Sequence, residues 1–245
     1  MRKTLGGIDD SRSIDLNSKL FCFSESPYVY VFRHLTNCEI ELTQFSSVTV
    51  FCQELSPGAR LTVDGTDLSV NAAAQAENLP CRLQVTGEAR IFVAGTQKAH
   101  SARPSLQVRQ LDELKKVVKP WGNEIWINGE HAHYAFKRIE IKAGTKTSLQ
   151  YHRFKKETNL IFGGKARLFY KKNASVENDF VQADDIGSIE LEPVTSIDVP
   201  PQNLHRLEAL SDVLLFETST PHLDDVIRVS DDSARGHGRV SAEHA

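Results

Sequence analysis

Gly144-Thr-Lys-Thr-Ser-Leu-Gln150-Tyr-His152-Arg-Phe-Lys-Lys-Glu157, continued by an apolar run to Gly163-Gly164, is the stretch that decides the fold. Ser148, Gln150 and His152 alternate, so an extended chain points all three to one face. Glu157 follows after enough chain for a bend and entry into the next strand. Gly163-Gly164 then offers the positive-φ positions of a tight turn. An amide, an imidazole and a carboxylate converging on one point suit a borderline divalent metal such as zinc, given a fourth ligand from elsewhere.

Downstream, Ile197-Asp-Val-Pro-Pro-Gln-Asn-Leu-His205-Arg-Leu-Glu208 reads as a strand, a proline-enforced turn and a His opening the next strand. His205 is the candidate fourth ligand, so the expected metal set is Gln150, His152, Glu157 and His205. Together the two segments resemble the paired metal-binding motifs of cupins, and more closely the cupin part of type II mannose-6-phosphate isomerases. Lys119-Pro-Trp-Gly122, Lys137-Arg-Ile139, Ser148-Leu-Gln150-Tyr-His152 and Asp224-Asp-Val-Ile-Arg228 match that family in order, over roughly residues 105–232. The resemblance implies a metal-binding jelly roll with Gln150 in the place of the usual first His. It also implies that the segment ending in Arg228 closes over the barrel mouth. The chain departs from the family, which usually carries more His and an Arg-Ala-Glu around the Glu ligand; here Phe154-Lys155-Lys156 precede Glu157 and Thr158-Asn159 follow.

Composition is that of an ordinary globular chain, with 245 residues, 40% hydrophobic, 25% charged and a net charge of −3. That charge gives no reason to expect nucleic acid as a partner. The start lacks an apolar leader and no later segment is long enough to span a bilayer, so a cytoplasmic protein without membrane association is expected. The four cysteines, Cys22, Cys38, Cys52 and Cys81, show no CxxC spacing and read as free, buried thiols.

In order, residues 1–19 read as a polar arm. Residues 20–104 carry short β-branched and aromatic runs (28–32, 38–42, 47–51, 60–63, 81–85, 89–93) separated by Ser56-Pro-Gly58, Asp64-Gly65 and Thr86-Gly87, the pattern of a β-sandwich or barrel. Lacking a ligand set, this segment is expected to be a metal-free, cupin-like structural partner. Arg103-Pro104 marks the linker. Leu111, Leu114, Val117 and Val118 fall at helical spacing and predict a short amphipathic helix. Residues 105–230 form the expected metal-binding domain and 231–245 a loose polar tail. The whole is therefore expected to be all-β and bicupin-like, two barrel or jelly-roll domains joined by a short helix.

Within the second domain, Lys137 shares its strand parity with Ile139 and Ile141, which places it inside the barrel. Ser148, with Lys146 as a companion, is expected on the same inner surface. His131-Ala-His133 has Lys137 where a cupin needs its Glu, and reads as a loop rather than a metal site. The runs around Arg153, Lys155, Lys156, Lys165, Arg167, Lys171 and Lys172 read mainly as a solvated face.

The family resemblance implies an aldose–ketose isomerase acting on a sugar phosphate, with one divalent metal, most simply zinc. Catalytic candidates are Lys137, Arg228 and Glu208, the first and last of these as bases; Lys137, Ser148 and Arg228 are candidates for substrate contact, with Arg suited to a phosphate by its planar fork. Glu217 is expected to support the closing segment. A metal cupin of other chemistry, such as a sugar-nucleotide epimerase or an oxygenase, and a non-catalytic sugar-binding cupin are the alternatives. The amide at Gln150 disfavours redox iron, and the absence of a nucleotidyltransferase glycine signature argues against the bifunctional form of the family. Pairing through edge strands makes a homodimer the expected assembly.

Overall fold

The computed structural model describes residues 27–172 and 186–233, together with 235 and 238–239; the arm expected over 1–19, Cys22 and the end of the tail lie outside these. Among the described residues there is no α-helix, and the contacts divide the chain into two units. One holds the described residues up to Lys115 plus Ile127–Phe136, the other Lys116–Trp126 plus the described residues from Lys137 onward.

In the first unit, β1 (Val29–Leu42), β2 (Ser47–Leu55), β3 (Arg60–Val63), β4 (Thr66–Asp67), β5 (Ala72–Glu77), β6 (Cys81–Thr96) and β7 (Ser105–Gln110) form a seven-stranded sheet. Its order is β4-β3-β6-β2-β5-β7, with β1 also paired to β6. The Asp64-Gly65 turn joins β3 to β4 with positive φ at both residues, 47° and 78°, the hairpin geometry that Asp-Gly favours. Thr86-Gly87 is not a turn: β6 runs through it as a 16-residue strand. Gly87 instead bulges at φ +80°, where a Cβ would meet that of Ala59 at 2.7 Å, and its N–H donates to Asn37 Oδ1 at 2.8 Å. The matching shift on β1 lies between Thr36 and Cys38, so the two short runs expected there are one strand. The Ala-rich β5 escaped a propensity argument because alanine is a poor strand former. Its small, buried side chains lie between β2 and β7. Cys38, Cys52 and Cys81 are free thiols, and burial pushes those of Cys52 and Cys81 up to about 12.

The joining helix is also absent. Leu111–Glu113 make a single 3-10 turn, and Lys115–Lys119 continue as a strand, β8. Val118 is 78% exposed, so the apolar spacing that suggested a helix face buries nothing there. Two adjacent β-branched residues favour the extended form instead.

β8 leads into β9 (Gly122–Asn128), β10 (Ala135–Ile141), β11 (Leu149–Tyr151), β12 (Glu157–Gly163), β13 (Ala166–Lys171), β14 (Gly187–Leu191), β15 (Thr195–Val199), β16 (Leu204–Ala209), β17 (Val213–Ser219), β18 (Ile227–Ser230) and β19 (Gly238–Arg239). They form two six-stranded sheets, ordered β15-β12-β17-β10-β9-β8 and β14-β13-β16-β11-β18-β19. β19 pairs with β18, so Gly238 and Arg239, within the span expected as a loose tail, extend that sheet. Ile139, Ile141, Ile161, Ile197 and Leu215 from one sheet pack with Ala166, Leu168, Leu191, Leu207 and Ala209 from the other in a single core. Each fully buried aliphatic side chain contributes about 1.5–3 kcal/mol. Gly164 turns β12 into β13 at φ +78°, with its α-carbon so close to Asp212 that a Cβ would lie 1.9 Å from the carbonyl oxygen. This is a two-sheet jelly roll of the cupin kind.

The inward positions change character along the strands. β10 presents Lys137 before Ile139 and Ile141, β12 presents Glu157 and Asn159 before Ile161, and β16 presents His205 before Leu207. Antiparallel β17 reverses the order, Leu215 before Glu217. Apolar side chains thus close one end of the sandwich and polar ones gather at the other.

Candidate metal centre

Among the described residues, His152, Glu157 and His205 bring one ligand atom each within 4.8 Å of one another, and all three are buried. Glu157 opens β12, His205 is the second residue of β16, and His152 follows the short β11. The proline turn before β16 bonds back to the first motif through Gln202 N–H to His152 O, 2.6 Å. That contact carries His205 to a ligand 53 residues away in sequence.

Each imidazole is oriented by its far nitrogen. His152 Nδ1 lies 2.5 Å from the carbonyl oxygen of Asp225, and His205 Nδ1 lies 3.0 Å from that of Asn203. A carbonyl can only accept, so Nδ1 carries the proton in both rings and Nε2 keeps its lone pair. Both Nε2 atoms are buried without a hydrogen-bond partner, and they face the Glu157 carboxylate at 3.4 and 3.2 Å. Two lone pairs set against a carboxylate repel unless a cation lies among them. The donor set therefore fits a divalent ion bound by two imidazoles and a carboxylate.

Gln150 stands opposite His205 in register and lines the same pocket, and its amide oxygen accepts a hydrogen bond from Ser148 Oγ at 2.7 Å. An amide oxygen has a second lone pair, so that bond leaves Gln150 able to serve as a further ligand. Ser148 lines the pocket as expected.

The sequence treated Lys155 as part of a solvated basic face, and the structure corrects this. Lys155 is 4% exposed, lines the pocket, and donates from Nζ to Glu157 Oε2 at 2.6 Å and Glu217 Oε1 at 2.7 Å. Burial by itself would lower the ammonium, but the Glu157 and Glu217 carboxylates outweigh it and raise it. Burial likewise opposes ionisation of Glu157, yet the Lys155 ammonium beside it holds that carboxylate well below its usual range. His152 is pushed down by burial and by Lys155. A loop between strands gives no parity to read, which is why this lysine was misplaced.

Lys137 does face inward, beside Ile139 and Ile141. It donates to Glu124 Oε2 at 3.1 Å, lies 3.9 Å from Glu217, and sits over the Trp126 ring at 4.7 Å. Lys119 is 3.9 Å from the same Glu124. A buried ladder of alternating charge, Lys119, Glu124, Lys137, Glu217, Lys155, Glu157, thus leads to the centre. Glu124 and Glu217 are its unforeseen members; Glu217 lines the pocket rather than only bracing the closing segment.

Glu208 does not face the centre. Glu208 has the opposite parity to His205 and Leu207, and lies on the other face of its sheet against Arg167 at 3.0 Å and Lys146 at 3.6 Å. It is thereby withdrawn as a base, and Lys146 leaves the inner surface with it. Arg228 is buried and pairs in register with Gln150, but it is not among the residues lining this pocket, and its Nε lies 3.9 Å from Asp231. His131 lies in the loop between β9 and β10 as read, but it is buried rather than exposed or at a pocket rim, 3.3 Å from Glu77, with burial bringing it down to about 4. With His133 it forms no ligand group among the described residues.

The closing segment expected before Arg228 does meet the first motif. Asp225 Oδ2 accepts from the N–H groups of Phe154 at 2.5 Å and Lys155 at 2.9 Å, and Lys156 and Thr220 exchange two further bonds. Leu223 and Val226 line the pocket.

Comparison with known proteins agrees with this architecture. The chain resembles oxalate decarboxylase from Lactobacillus farciminis, solved as a formate complex, at 12% identity and a TM-score of 0.60, over 82% of this chain and 79% of that one. It resembles the Bacillus subtilis oxalate decarboxylase, studied for its Mn(II) centers, at 12% identity and a TM-score of 0.58, over 82% of this chain and 71% of that one. At such identity the likeness is one of fold. No curated protein sequence matches the chain. The family model described as Mannose-6-phosphate isomerase C-terminal matches residues 107–231, the span that holds every residue of the centre, and the chain belongs to that family of cupins.

Proposed function

We propose that the protein is a metal-dependent aldose–ketose isomerase of a sugar phosphate, similar to mannose-6-phosphate isomerase. The observation that carries this is the pair of orphaned Nε2 atoms facing Glu157 in a pocket rich in proton donors and acceptors, within the span matched to that family. His152, Glu157 and His205, with Gln150, would hold one divalent ion, zinc by its liking for mixed nitrogen and oxygen donors. When bound, such an ion supplies Lewis-acid polarisation of adjacent carbonyl and hydroxyl oxygens.

The chain's own groups do the rest. Moving hydrogen between C1 and C2 needs a proton acceptor and a donor within hydrogen-bond reach of the sugar. Glu217 supplies a carboxylate and Lys137 an ammonium, both on the pocket wall. Ser148 and Gln150 offer hydroxyl and amide groups to the sugar's hydroxyls. Arg228, one strand over from Gln150, is the cation proposed for the phosphate. The metal-free first unit is proposed as a cupin-like structural partner.

The test is proton NMR in D₂O with metal-loaded protein and a panel of aldose and ketose phosphates. Enediol chemistry exchanges the C2 proton even where net conversion is slow. Exchange with at least one sugar phosphate, abolished in His205→Ala, is expected. No exchange across the panel from protein carrying stoichiometric metal would sink the proposal.

A further inference from the structure

We infer that Lys155 is a resident cation of this centre, competing with the metal for Glu157 and so setting how tightly the ion is held. The inference rests on the reading of His152, Glu157 and His205 as a metal site. Its basis is a contact that a ligand carboxylate would not need: Lys155 Nζ at 2.6 Å from Glu157 Oε2. The other carboxylate oxygen, Oε1, accepts from Asn159 Nδ2 at 3.0 Å and faces His205 Nε2 at 3.2 Å. Both oxygens of the ligand are therefore already engaged by groups of the chain.

Lys155 is not free to leave. Glu217 Oε1 holds its ammonium from the far side at 2.7 Å, and its backbone N–H is fixed by Asp225 Oδ2 at 2.9 Å. Its side chain is buried. An ion bound to the two Nε2 atoms and Glu157 shares a carboxylate with an ammonium a few ångströms away, and two cations at that range repel, the more so for being buried. In the metal-free protein the same ammonium balances Glu157 and Glu217, which would otherwise be two buried carboxylates side by side. Lys155 thus stabilises the empty centre and weakens the filled one. It also keeps Glu217 from becoming a ligand, leaving that carboxylate available to substrate.

Metal affinity and stability, rather than turnover, test this. Wild type, Lys155→Met and Lys155→Arg are prepared metal-free and titrated with Zn(II) and with Mn(II) against a chromophoric chelator, and their thermal unfolding is followed without metal. Lys155→Met is expected to bind at least about tenfold more tightly, a small share of the repulsion removed, while unfolding at a lower temperature than wild type when metal-free. Lys155→Arg, which keeps the charge, should stay within a few-fold of wild type. Adding His152→Ala to Lys155→Met should abolish the gain, placing it at the same site. Should Lys155→Met fail to fold, Lys155→Met/Glu217→Leu removes the buried pair together and is expected to bind more tightly than wild type. Equal or weaker binding by a folded charge-removed variant overturns the competition while leaving the metal site standing. No binding by any folded variant, wild type included, overturns the metal site and the competition with it.

Discussion

The Nδ1 atom of His152 lies 2.5 Å from the backbone carbonyl oxygen of Asp225, 73 residues on in the chain. The same Asp225 accepts, through its carboxylate, the N–H groups of Phe154 and Lys155. One residue of the closing segment therefore sets the tautomer of a ligand and the path of the loop behind it. Closure of the pocket and orientation of the centre are mechanically one feature.

Replacing either ligand histidine should empty the centre. Elemental analysis of protein purified without chelators is expected to show near-stoichiometric divalent metal, lost in His152→Ala and in His205→Ala and kept in Glu208→Ala. Metal retained by both histidine variants would remove the assignment.

Asp225→Ala deletes an ionised acceptor of two backbone N–H groups, whose bonds outweigh burial and hold the Asp225 carboxyl below its usual range. Bonds to a charged group are worth about 1.5–3 kcal/mol. Urea unfolding should show a loss of that order, and metal affinity should fall as well because the loop behind His152 is released. An unchanged affinity would show that the closing segment does not position the ligand.

Breaking the charge ladder at one rung should cost more than removing a pair. Glu217→Leu leaves Lys155 buried with one partner fewer and is expected to destabilise by about 3–5 kcal/mol, whereas Lys155→Met/Glu217→Leu should recover most of the loss. Equal destabilisation of the single and double variants in denaturant titrations would contradict the pairing.

Burial of His131 is expected to give the first unit a pH dependence. Burial lowers its folded value to about 4, against about 6.5 in an unfolded chain. Its contribution is full above the unfolded value and is lost as pH falls through the folded one, roughly 3 kcal/mol in all. Stability measured from pH 7 down to pH 4 should therefore fall less steeply in His131→Gln than in wild type. Parallel curves would mean that the imidazole titrates alike in the folded and unfolded chain, contrary to its burial.

Arg228→Gln should weaken binding of a phosphorylated sugar by about 1.5–3 kcal/mol and leave the unphosphorylated parent nearly unchanged. Calorimetric titration with both sugars separates the outcomes, and equal losses would place the arginine in a purely structural role beside Asp231.

What could be read from the chain alone followed from period and spacing. The alternation through Ser148, Gln150 and His152, the offset to Glu157 and the proline turn before His205 pointed to the convergence of His152, Glu157 and His205, and the parity of Lys137 with Ile139 and Ile141 carried its inward face. Strand period also placed most of the β-structure, because a half-buried strand writes its burial every second residue. Tertiary structure decided what has no period. Lys155 and Asp225 lie in loops, where direction is set by long-range hydrogen bonds. Gly87 could equally mark a turn or a bulge until Asn37 and Ala59 were placed against it. The spacing of Leu111, Leu114, Val117 and Val118 fits a helix until Val118 is found in solvent. The parity of Glu208 was legible beside His205, but its partners Arg167 and Lys146 come from other segments. Partnership between charges distant in sequence is a property of the folded sheets, and it separates a buried ladder from a solvated face.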